Sequence, residues 1–253
     1  MSTQPPSGPP PGPLGAPAAG PPPAPRPRRR GRPVLVGAAV AAAVAAVAVA
    51  AVLVLGRDGG AHRPRAGASA QARELADRVA LAPGDWGPTF RRADPYESDE
   101  VPRSVADEDC ALVRKPAAHV LAARQRAVRT ADRTAVASSA VVVHDDEGVA
   151  AAAVARSRAD TRRCATEYDA RHRKRWEDVH AVDVPDLEGL DEQTAEQGRM
   201  ILDANGREAD SHYTLITGRK GNVLLQTSVG RSGSQGRNRE EALDALALML
   251  SRL

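Results

Sequence analysis

Between Val34 and Leu55 the chain runs through 22 residues of Ala, Val, Leu and one Gly without a charge. A helix of that length rises about 33 Å, enough to cross a hydrocarbon core of about 30 Å. The stretch is read as a single transmembrane helix, and it orders everything else. It leaves a tail over residues 1–33, a linker over 56–70 and a remainder over 71–253 that is long enough for one domain with its own core. A cleaved signal peptide fits poorly. The lead before the span is long, and the apolar run exceeds the roughly 7–15 residues of a signal h-region. The small-residue site at Ala68-Ser69-Ala70 lies far downstream.

The formal charge of +3 divides unevenly along the chain. The tail carries Arg26, Arg28, Arg29, Arg30 and Arg32 and no acid, and the linker carries Arg57, Arg63 and Arg65 against Asp58. That leaves 27 basic and 31 acidic residues for the remainder, a net charge of −4. The basic pI therefore belongs to the segments flanking the span, and no nucleic-acid partner is implied. Arginine on the N-terminal side places the tail in the cytoplasm and the C-terminal domain outside the cell membrane. Residues 1–25 are Pro, Gly, Ala and Ser with almost nothing to bury, a composition expected to stay disordered. Gly37 and Ala41 form a small-xxx-small pair, which carries little weight in so Ala-rich a helix. Lysine occurs only at positions 115, 174 and 220 amid abundant Ala, Arg, Gly and Pro, the bias of a GC-rich, actinobacterial type of genome.

Aromatic residues make up 2% of the chain, so the core must be built from Ala, Val and Leu. Ser69 is expected to cap a helix whose inner face carries Ala72, Leu75, Ala76 and Val79, ended by Pro83 and Gly84. Residues 82–116 hold several prolines and many acids and read as a long surface loop, pinned by Trp86 and Phe90. Residues 117–130 fit helix or strand. Alternation over Ala135–His144 predicts a strand. Asp145 and Asp146 then open a helix with Ala150, Ala153, Val154, Ser157, Thr161, Cys164, Ala165 and Tyr168 on one face. Met200–Leu202 is a strand candidate ending at Asn205-Gly206. Tyr213 to Thr217 and Val223 to Val229 are strands joined through Lys220-Gly221-Asn222. Asn238 with Glu241 resembles a capping box, opening a helix that buries Leu243, Leu246, Ala247, Leu250 and Leu253. The sum is an α+β domain, an antiparallel sheet with packed helices.

Candidate chemistry is sparse. Cys110 and Cys164 lie on the outward side of the span, where an oxidising compartment favours a disulfide; two buried thiols are the competing state. Neither has metal-site or redox-motif spacing. His62, His119, His144, His172, His180 and His212 show no ligand pattern, so no metal is expected. His144-Asp145-Asp146 is the densest titratable cluster, at a strand-to-helix junction where Asp also serves as a cap. The glycines of 230–236 lack both the Walker and the nucleophile-elbow order. Arg171, Arg173, Lys174 and Arg175 form a basic run at the expected end of the long helix. The run suits the helix dipole or, alternatively, contact with an anionic cell-wall polymer or lipid headgroups.

The stretches LAPGDWGPTF (81–90), SSAVVVHDDEGVAAAAVARSRADTRRC (138–164), GRKGNVLLQTSV (218–229) and ALDALALMLSRL (242–253) resemble the PknH-like extracellular domain of actinobacterial membrane proteins. The resemblance spans about residues 71–253. That domain is the sensor of a receptor serine/threonine kinase and also occurs in anchored proteins without a kinase. The resemblance implies an antiparallel sheet with helices, a cleft that holds a ligand, and no catalytic constellation. Cys110 and Cys164 look like the first of the family's two disulfide pairs; the second is missing here. Pro and Arg precede the span where the receptor has its kinase.

These readings lead to an expectation of a single-pass membrane-anchored protein with an extracytoplasmic, sensor-like ligand-binding domain and no catalysis or cofactor. Its partners are the bilayer, through residues 34–55, and a cell-wall or lipid ligand. The alternatives are a cell-envelope hydrolase using His144 and Asp145, and a structural scaffold of a membrane complex.

Overall fold

A computed structural model describes residues 66–99, 103–115, 119–169, 174–203, 208–233 and 235–253. The tail, the span at 34–55, most of the linker, His62, Arg171, His172, Arg173 and the Asn205-Gly206 turn lie outside the described residues. No helix among the described residues is long and apolar enough to cross a membrane.

The described chain is α+β: α1 (Ala66–Val79), a 3₁₀ turn (Pro83–Trp86), β1 (Phe90–Ser98), β2 (Arg103–Ala106), β3 (Ala111–Lys115), β4 (Val120–Thr130), β5 (Ala135–His144), α2 (Glu147–Arg163), β6 (Glu167–Asp169), β7 (Lys174–Ala181), β8 (Glu192–Asp203), β9 (Glu208–Lys220), β10 (Val223–Ser232) and α3 (Asn238–Leu250). The ten strands form one sheet in the order β1-β4-β5-β10-β9-β8-β7-β6-β3-β2. Every pairing is antiparallel except β3 with β6.

Helices cover both faces of the centre, which explains why β5 and β10 are buried almost throughout rather than at alternate positions. On one face, Ala72, Ala76 and Val79 of α1 and Ala242, Ala245, Leu246 and Met249 of α3 pack over Val128, Val141, Ile216, Leu225 and Val229. Trp86 and Phe90, with ring centroids 6.2 Å apart, close this core from the side, as their place in the sequence suggested. On the other face, Ala150, Ala153 and Val154 of α2 meet Leu224 and Val142.

The predicted inner face of α1 stands, with Leu75 only partly buried. The helix nevertheless starts at Ala66, inside the expected linker. Ser69 is therefore an interior residue, its carbonyl accepting from Arg73 Nε at 3.0 Å. The loop expected over 82–116 is instead a 3₁₀ turn and three strands. Its charges and proline are compatible with strand because β1 and β2 are the two edges of the sheet. Pro95 sits where the β1–β4 register shifts between Arg92 and Glu97, a position that asks nothing of its missing N–H. Residues 120–130 resolve as strand β4, and β8 extends far beyond Met200–Leu202.

Two helix boundaries also differ. α2 is capped by Asp146, whose side chain accepts from the Val149 amide at 3.1 Å, but it stops at Arg163. Cys164 points inward as expected, whereas Ala165 is exposed and Tyr168 belongs to β6. The Asn238–Glu241 capping box does not form. Asn238 is itself buried, donating through Nδ2 to His212 O (2.9 Å) and accepting at Oδ1 from Arg231 Nη1 (2.7 Å). With α3 tied to the strands this way, its most buried stripe is Ala242, Ala245, Leu246 and Met249, while Leu243, Ala247, Leu250 and Leu253 are only partly covered.

Candidate functional site

The face of the sheet that carries α2 holds most of the buried polar side chains. In register, Ala127, Ser138, Ser228, Leu215 and Glu196 lie side by side across β4, β5, β10, β9 and β8. The neighbouring row runs Arg91, Arg129, Val136, Gly230, Tyr213 and Gly198 from the β1 edge inward. Partners directly opposite in an antiparallel pair point to the same face, so each row shares one environment.

At the centre stand Ser138 and Ser228, a cross-strand pair at 0% exposure. Neither hydroxyl oxygen meets a hydrogen-bond partner among the described residues. On the opposite face, Ser139 and Thr227 are equally buried, yet each is satisfied: Ser139 Oγ accepts from the Leu81 amide at 2.9 Å, and Thr227 Oγ1 donates to Ala242 O at 2.8 Å. Beside the orphan pair, Gln226 Nε2 donates to Thr217 Oγ1 at 3.0 Å. An unsatisfied buried hydroxyl costs about 1–3 kcal/mol, so two together require a reason.

At the other end of the same row is a carboxyl cluster. Glu196 turns inward, accepting from Thr161 Oγ1 at 2.5 Å and from the Tyr213 hydroxyl at 3.3 Å. Glu167, 7% exposed on β6, has no hydrogen bond to its carboxyl among the described residues. Burial, then the charges of Glu196 and Asp160, raise the Glu167 pKa to about 8 against the pull of Arg163. Burial also raises that of Glu196, and burial with both glutamates holds the Tyr213 phenol well above its ordinary value. The two glutamates therefore do not both ionise easily near neutrality. The void beside Glu196 has no room for a water-sized molecule, so nothing of substrate size reaches that carboxyl there.

The disulfide Cys110–Cys164 forms, with Cα atoms 5.6 Å apart. It joins the β2–β3 turn to the C-terminal end of α2, not the Trp86 segment to that helix. A cleft of about 780 Å³ lies alongside, lined by Asp107, Glu108, Asp109, Arg156, Asp160 and Arg163 among others. Its arginines are committed to holding the wall. Arg156 and Arg163 both donate to Ala106 O, at 2.5 and 3.2 Å, and both pair with Asp160, at 2.8 and 3.1 Å.

His144 is wholly buried, its ring Nδ1 3.2 Å from His119 O and its backbone paired with Asn222. Asp145 pairs with His119 at 3.2 Å and Asp146 caps α2, so the His-Asp-Asp run is divided among three structural tasks. Lys174 and Arg175 open β7, eleven residues or more past the end of α2, and so do not complement that helix dipole. Arg175 pairs with Glu177 at 2.5 Å. No group of His, Cys, Asp and Glu that could hold a metal occurs among the described residues. The Ser pair, the two glutamates and the arginines of the β1 edge escaped the sequence reading. The alternation of Ser138 with Ser139 in an otherwise apolar strand was their only trace.

No family model matches the chain, and no curated protein matches it either.

Proposed function

We propose that the chain is a single-pass membrane-anchored protein whose extracytoplasmic domain binds a polar ligand on the α2 face of its sheet, as a sensor-like module without catalysis. One observation carries the reading: Ser138 and Ser228 place two hydroxyls, without a partner among the described residues, side by side in the middle of the sheet. The pair has no exposed surface, so a ligand with hydroxyl or carbonyl groups reaches it only by displacing the side chains that cover it. It then supplies the missing partners, and its binding is favoured by the cost it removes. The resemblance to PknH-like sensor domains supports the same function. The disulfide supports an oxidising compartment, and with it the orientation argued from Arg26–Arg32.

The test uses the full chain in neutral detergent, titrated with cell-wall oligosaccharides and followed by calorimetry. Binding that weakens about ten-fold in Ser138→Ala and Ser228→Ala, with melting temperature unchanged or raised, is the expected result. Unaltered affinity in both variants would overturn it. Alkylation of reduced cysteines in intact cells by a membrane-impermeant reagent checks the orientation.

A further inference from the structure

In the row next to the serine pair, Arg91 and Arg129 stand directly opposite one another on β1 and β4. Like charges placed across an antiparallel pair repel, and neither arginine has an acidic partner among the described residues. Arg129 makes no side-chain hydrogen bond there at all. Arg91 donates only through Nη1, to Pro88 O at 2.6 Å and Phe90 O at 2.8 Å, which fixes the guanidinium and leaves its other N–H groups open. Glu97 pairs with Arg126, Asp85 with Arg252, and Asp132 with Thr130 and Thr134.

We propose that Arg91 and Arg129 form the oxyanion subsite of the ligand-binding face, holding a phosphoryl group between them. The inference rests on the ligand-binding reading above. A tetrahedral anion relieves the repulsion of the pair and accepts from both planar forks, the geometry in which arginine binds phosphate best. The Ser138 and Ser228 hydroxyls lie on the same face, buried in the neighbouring row. The ligand class this points to is a phosphorylated, hydroxyl-bearing compound, whether a soluble sugar phosphate or an anionic lipid headgroup.

The experiment takes the full chain in nanodiscs of phosphatidylcholine, alone or with phosphatidylglycerol, and measures its melting temperature with inorganic phosphate against chloride at equal ionic strength. In the wild type, a rise with phosphate in plain discs supports a soluble phosphoryl ligand. A rise in chloride on adding phosphatidylglycerol to the discs, with none from phosphate in plain discs, supports a headgroup. Either response should weaken about ten-fold or more in Arg91→Gln and Arg129→Gln and persist in Arg133→Gln, a change in the exposed turn between β4 and β5. Arg129→Gln without anion should melt no lower than wild type, because the repulsion is gone. Arg91→Gln also loses its bonds to Pro88 O and Phe90 O, so its anion response and not its baseline is the readout. No response in the wild type, or an equal response in the variants, overturns the proposal and leaves the pair as a charged guard against edge-to-edge strand pairing. If the anion arms fail while oligosaccharide still binds through the serines, only this inference falls.

Discussion

Gly198 on β8 faces Tyr213 on β9, and the tyrosine ring occupies the space a side chain at 198 would need. A Cβ there would lie 2.9 Å from Tyr213 Cε1, 3.1 Å from its hydroxyl oxygen and 2.9 Å from Glu177 O. The phenol crosses the glycine and reaches Glu196, two residues away on the same face. Gly198→Ala should therefore displace Tyr213 and break that bond, costing about 2–3 kcal/mol by overpacking and loss of the buried contact. Urea unfolding of wild type and variant gives the number; equal midpoints would show that the ring has room to move.

Glu167 sets a pH dependence whose sign follows from its raised pKa of about 8. Between the ordinary carboxylate range and about 8 the folded state holds a proton that the unfolded chain has lost. Stability therefore falls as pH rises through that window, by at most about 1.4 kcal/mol per unit for this group. Glu167→Gln, which resembles the protonated acid, should raise the melting temperature at pH 8 and change it little at pH 4. A variant that melts lower at pH 8 would mean the carboxylate is stabilised after all.

The disulfide closes a separation of 54 residues, which in the chain-entropy model is worth about 4 kcal/mol. Reduction should lower the urea midpoint accordingly. Hydrogen exchange should accelerate first in β2, β3 and β6, which are short and meet at this bond. Uniform exchange before and after reduction would count against a local role.

Arg252 fastens the C-terminus to the 3₁₀ turn through both oxygens of Asp85, at 3.0 and 2.6 Å. That contact, opposed by burial and aided by the Ala82 amide, lowers the Asp85 pKa. Its contribution is present above the ordinary aspartate range and is lost as pH falls through the lowered pKa. Arg252→Ala should cost about 1–2 kcal/mol at pH 7, since both side chains are partly exposed, and much less at pH 2. A cost that is the same at both pH values would assign the loss to packing of the arginine stem.

What could be read locally was read well where a single face or a single turn governed the outcome. Ala135–His144 became β5 to the residue, Gly221-Asn222 turned the β9–β10 hairpin, and Asp146 capped α2. The errors fell where a partner distant in sequence decided. Charged β1 became a strand because β4 lies beside it, and α3 rotated because Asn238 is held by His212 and Arg231.

The candidate site shows the same division. Sequence alone located the two cysteines, the continuous uncharged stretch at 34–55 and the α+β character of the rest, because redox chemistry, hydropathy and periodicity are properties of residues near one another in the chain. Ser138 and Ser228 are 90 positions apart, and Arg91 and Arg129 are 38 apart. Beyond the adjacent serines at 138 and 139 in an apolar strand, nothing local distinguishes the four. Only the register of the strands makes them pairs, and register is set by the burial of both faces at once. That is why tertiary structure alone decided where two hydroxyls would lack partners and two like charges would meet.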